Sequence, residues 1–178
     1  MKLQLRYPLH SLPERFWEVF FDPEVTTRLH LEALGSTSVE IEALTGTPAT
    51  GVERTIRYGQ VPDAPGPVKK LFGSEVVTTE SGRFDPDTGI WTFVLTPATM
   101  ADKTHITGSI ELLETGDGDD GQGGAAGERA PFEQVFSLEA RVKIFGAGPV
   151  VERFIEKQAR DTQGRAAAFL NGLLADPA

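Results

Sequence analysis

The chain of 178 residues contains no cysteine, three histidines, and two residues each of tryptophan, tyrosine and methionine. Without thiols there can be no disulfide staples, thiolate nucleophiles or cysteine-ligated metals. That composition fits a cytoplasmic location. His10, His30 and His105 form no HxH or HxxxH pair, and no carboxylate stands at a metal-like spacing from any of them. No metal or other cofactor is therefore expected. No run approaches the roughly 20 apolar residues of a membrane-spanning helix. The opening Lys2-Leu3-Gln4-Leu5-Arg6-Tyr7 alternates like a strand, so a signal peptide is not expected either. Basic residues are the minority, 17 against 26 acids, for a formal net charge of -9. Phosphate backbones require clustered Lys and Arg, so a nucleic-acid partner is not expected.

What is present is an ordered series of short periodic segments. The first strand alternates Leu3, Leu5 and Tyr7 against Lys2, Gln4 and Arg6. Ser11 followed three residues later by Glu14, with Pro13 between, reads as a capping-box helix start. That helix should bury Phe16, Val19 and Phe20. Asp22-Pro23 opens a second short helix with Val25, Leu29 and Leu31 facing inward. From Gly35 the period becomes two. Strands are expected over Val39–Ala43, Val52–Tyr58, Glu75–Phe84, Ile90–Thr96, His105–Leu113 and Phe132–Phe145. Thr115 to Pro131, rich in Gly and Asp, buries too little to offset its ordering entropy and reads as a flexible hairpin connection. Pro149 opens a long amphipathic helix to about Leu174, roughly 39 Å at 1.5 Å per residue, with Gly164 as its weak point.

The order strand, two helices, six strands, long helix contains no strand-helix-strand alternation, which argues against a parallel sheet. A meander wrapped on one amphipathic helix buries both apolar faces. This order resembles the START/Bet v 1-like superfamily (SRPBCC, polyketide cyclase-like), and Pro62 to Glu75 followed by a strand resembles a bacterial family of unknown function within it. The resemblance implies a single α+β domain over 1–178 with the helix-grip fold. A curved seven-stranded antiparallel sheet, two short helices and a long C-terminal helix would enclose an apolar cavity for lipids, polyketides or other apolar ligands.

Strand periodicity places Arg54 on one face with Val52, Ile56 and Tyr58. A guanidinium among apolar walls needs an anionic partner, either a ligand head group or a protein carboxylate. Gln134 and Gln158 also fall on otherwise apolar faces, where each can bond a ligand or the backbone. Ile56, Tyr58, Phe93, Phe136 and Phe154 are the expected cavity walls. His105 alternates away from the Ile106-Ile110-Leu112 face and is expected outside. Between Gly59 and Gly73, three prolines precede Val68-Lys69-Lys70-Leu71-Phe72, an amphipathic turn with Val68, Leu71 and Phe72 on one face. It is read as a lid bringing Leu71 and Phe72 to the ligand, or as a transient contact with an anionic membrane.

The leading expectation is non-catalytic binding or transfer of an apolar or amphipathic, lipid-like molecule. The alternatives are a polyketide cyclase or dehydratase using Arg54, Tyr58 or Glu80, and a protein-interaction module receiving a partner segment.

Overall fold

The computed structural model describes residues 1–115 and 130–175. Seven strands form one antiparallel sheet: β1 (Lys2–Leu9), β2 (Ser38–Thr47), β3 (Gly51–Gln60), β4 (Val76–Asp85), β5 (Ile90–Pro97), β6 (Thr104–Glu114) and β7 (Phe132–Val142). Their spatial order is β1-β7-β6-β5-β4-β3-β2. Consecutive strands from β2 to β7 are thus neighbours, and β1 returns to pair with β7. Helices α1 (Pro13–Phe21) and α2 (Pro23–Arg28), then a π-helical turn (Leu29–Ala33), carry the chain from one sheet edge to the other. Helix α3 (Gly66–Phe72) joins β3 to β4, and α4 (Gly148–Ala175) closes the chain. At 28 residues α4 is about 42 Å long and runs unbroken through Gly164. It packs on β7 and β1, with α1, the π-helical turn and α3 against its flanks.

The sheet curves because small residues sit where large ones cross. A Cβ at Gly82 would fall inside the Trp91 indole, and one at Gly108 inside the Phe93 ring. These glycines let two aromatic side chains lie down on neighbouring strands. In β2 the register slips between Ile41 and Ala43, an edge bulge that adds twist. The core is aromatic: Phe16, Trp17, Phe20 and Phe21 of α1 pack on Phe84 and Trp91, with Trp17–Phe84 centroids 4.6 Å apart and Phe21–Trp91 5.2 Å apart.

Several local expectations are corrected. Ser11 caps nothing: the N-cap position of α1 is Leu12, which offers no side-chain cap, and the Ser11 hydroxyl donates to Leu12 O at 3.4 Å. Asp22 does cap α2, accepting from the Glu24 and Val25 amides. The π-helical turn rotates the helix surface, so His30 points inward and Leu31 lies 46% exposed. β7 ends at Val142, three residues early, and leaves Phe145 fully exposed. At Gly59 the absence of a Cβ lets the Thr37, Ser38 and Glu75 side chains close over the backbone. Residues 116–129 of the expected flexible connection lie outside the described residues. Its two ends meet, since the Thr115 amide donates to Pro131 O and the Thr115 hydroxyl to Ala130 O.

Candidate functional site: a cavity between sheet and helix

The inner face of the sheet and α4 do not touch everywhere; between them lies a cavity of about 220 Å³. Pleating determines its wall. Alternate residues of β3 to β7 point inward, and Val151, Phe154, Ile155, Gln158, Thr162 and Gln163 of α4 face them at helical spacing. Eight of the ten expected residues line it: Arg54, Tyr58, Phe72, Phe93, Gln134, Phe136, Phe154 and Gln158. Ile56 and Leu71 do not. Ile56 has the right parity and is 1% exposed, yet the wall passes it by. Leu71 packs sideways against the α3 cluster, away from the cavity.

Arg54, 5% exposed, has found its anion within the protein. Its guanidinium donates to Glu80 Oε1 at 3.1 Å, Phe20 O at 3.0 Å and Thr26 Oγ1 at 3.3 Å. It also stacks on Phe20, 4.7 Å from the ring centroid, and on Trp91 at 5.1 Å. Arg54 therefore ties α1 and α2 to β3 and β4. Its Nε is buried without an acceptor among the described residues, in a guanidinium whose Cζ lies over aromatic rings.

His30 lies beside this pair, its ring 4.6 Å from that of Tyr58 and its Nδ1 3.3 Å from Ser36 Oγ. Burial, and secondarily the Arg54 charge, lowers its pKa to about 4. Burial and then the Glu80 charge push the Tyr58 phenol well above its ordinary range. At neutral pH the imidazole is uncharged and the phenol protonated. Ser36 is not on the cavity wall, so its contact orients His30 and makes no nucleophile there. His30 and Gln163 line the wall without a signal in the sequence, and for His30 a regular helical period would turn the side chain elsewhere.

Helix α3 forms the rim at one end. Val68 and Phe72 are buried against Val151, with Leu71, Val76, Met100, Val142, Phe154 and Ile155 around them. Lys69 and Lys70 face solvent, and Gly73 ends the helix at φ 83°, a conformation that favours glycine. His105 is exposed, and among the described residues no cluster of His, Asp or Glu suits a metal. Nor is any helix among them long and apolar enough to cross a membrane.

An antiparallel sheet gripping a C-terminal helix around a cavity is the START/Bet v 1-like fold, and solved structures agree across the whole length. The START superfamily protein from Mycobacterium smegmatis superposes with a TM-score of 0.57 at 14% identity, covering 97% of this chain and 96% of the other. The Zhui aromatase/cyclase from Streptomyces sp. R1128 gives 0.61 at 12%, covering 98% and 93%. Norcoclaurine synthase from Thalictrum flavum, solved with dopamine and hydroxybenzaldehyde, gives 0.60 at 16%, covering 100% and 89%. At these identities the likeness shows the fold. The chain itself belongs to the family described as protein of unknown function (DUF2505), whose pattern matches residues 3–174. Comparison with curated proteins finds no match.

Proposed function

We propose that this protein binds an apolar or amphipathic small molecule in the cavity, without chemically altering it, and releases it past α3. The observation that supports this reading is the wall: apolar side chains from five strands and α4 surround space that the protein leaves unfilled. Interiors are otherwise packed like organic crystals, so unfilled apolar space of this size signals a ligand. A cavity of 150 Å³ takes up benzene; about 220 Å³ suits one or two fused rings.

Exchange needs an opening, and α3 is the cheapest part of the wall to move. It is a seven-residue helix held mainly by Val68 and Phe72. Because those two are buried when it is closed, an anionic membrane would meet only Lys69 and Lys70 first and would gain the apolar face on opening.

A second reading, a cyclase- or dehydratase-like enzyme, is favoured by one cluster. Neutral His30, protonated Tyr58 and Glu80 share the wall, a base and a donor within one cavity. Native mass spectrometry of freshly purified protein separates the two. A retained small-molecule adduct, recovered unchanged after denaturation, supports binding. An adduct released as a different compound from the one added supports the enzyme.

A further inference from the structure

Resting on the binding reading, we infer that the ligand is electrically neutral and carries a hydroxyl or carbonyl group, which Gln134 engages at the end of the cavity away from α3. The charge balance of the wall comes first. Among the described residues the wall's only cation, Arg54, is matched by Glu80 at 3.1 Å, and the other ionisable groups, His30 and Tyr58, are both uncharged at neutral pH. A carboxylate or ammonium entering this space would lose its water and meet no free counter-charge. A fatty-acid head group on Arg54 would have to displace Glu80 and compete with the hydrogen bonds to Phe20 O and Thr26.

The polar groups that remain free are neutral, and Gln134 is the most deeply buried of them. It is 3% exposed, lines the cavity, and its amide has no hydrogen-bond partner among the described residues. Neither amide atom is among the fully buried, unpartnered side-chain atoms, as Arg54 Nε and Asn171 Oδ1 are. Register fixes its place. Gln134 lies opposite Leu112 and Tyr7, one inward position beyond Phe136, whereas α3 sits over the Val142 end of β7. A ligand entering past α3 therefore brings its leading group to Gln134. A primary amide both donates and accepts, so it satisfies a hydroxyl or a carbonyl equally. With no protein partner among the described residues and some surface left open, this amide can bond a polar group of an occupant. Gln158 and Gln163 on α4 add further neutral polar contacts along the cavity.

Three probes with one carbon skeleton test this: naphthalene, 2-naphthol and 2-naphthoate, each competing at pH 7 against N-phenyl-1-naphthylamine as a fluorescent reporter. The expected order is naphthol tightest, naphthoate weakest by tenfold or more. Gln134→Met keeps the length of the side chain and removes the amide. It should reduce the naphthol-over-naphthalene preference by about three- to tenfold, the worth of one neutral hydrogen bond, while leaving naphthalene unchanged. Gln134→Leu provides the same comparison at the same position should Gln134→Met fold poorly. Naphthoate binding as tightly as naphthol, or a preference unmoved in the variants, overturns the inference while the binding reading stands. If neither the reporter nor naphthalene, the latter followed by native mass spectrometry, binds, both fail.

Discussion

Replacing Arg54 by Met tests whether this guanidinium is a structural clamp or a ligand anchor. The substitution keeps an unbranched side chain of similar reach but deletes the hydrogen bonds to Glu80, Phe20 O and Thr26. It leaves Glu80, only 17% exposed, without its cation. Breaking a buried ion pair from one side costs about 3–5 kcal/mol. For a chain of this size that corresponds to roughly 6–20 °C in Tm. Glu80→Gln alone leaves the converse problem, an unpaired guanidinium among aromatic rings. The double variant Arg54→Met/Glu80→Gln buries no stranded charge, so it should be less destabilised than the two single losses added, by about 1–3 kcal/mol. Urea denaturation of the four proteins reads the cycle directly. Strict additivity would refute the clamp. So would an Arg54→Met protein of normal stability that has lost only carboxylate ligands, which would return Arg54 to the role of head-group anchor.

Three further outcomes follow from the same geometry. Gly82→Ala drives a methyl into Trp91, which is completely buried and cannot move aside, so urea unfolding should show a loss of about 1–3 kcal/mol; an unchanged midpoint would mean the indole does not lie on that strand. His30 has a folded pKa of about 4 against 6.5 unfolded, so below about pH 6.5 the unfolded chain binds the extra proton. Stability should be flat above pH 7 and fall by up to about 3 kcal/mol as pH drops to 4. His30→Gln should flatten that limb, and an identical slope in the variant would show that other groups cause it. Phe72→Ala weakens the closure of α3, so stopped-flow displacement of N-phenyl-1-naphthylamine should be tenfold faster or more with the fold intact; an unchanged rate would locate the exit elsewhere.

Strand alternation sufficed to orient Arg54, Tyr58, Phe93 and Phe136, because a two-residue period leaves only two faces to choose between. The same reasoning put Ile56 on the cavity, and helical spacing in the Val68–Phe72 turn put Leu71 there. Parity says which face a side chain leaves from, not whether a neighbour already covers it. His30 was hidden by the π-helical turn, since one inserted residue shifts the inward face away from Leu31, and the sequence offers no proline or glycine to mark it. Whether Gln134 finds a backbone partner, or Arg54 a carboxylate, depends on which strands are neighbours. That arrangement arises from long-range pairing, as in Tyr7 opposite Gln134, which no local pattern encodes.

The central claim is that the space between sheet and α4 receives the ligand. Gln158→Trp fills that space from the helix side without touching the strands. Fluorescence titration with N-phenyl-1-naphthylamine should give saturable one-to-one binding to the natural protein and none to the filled variant, with both showing the same far-UV circular dichroism. Equal binding by the two would contradict the account.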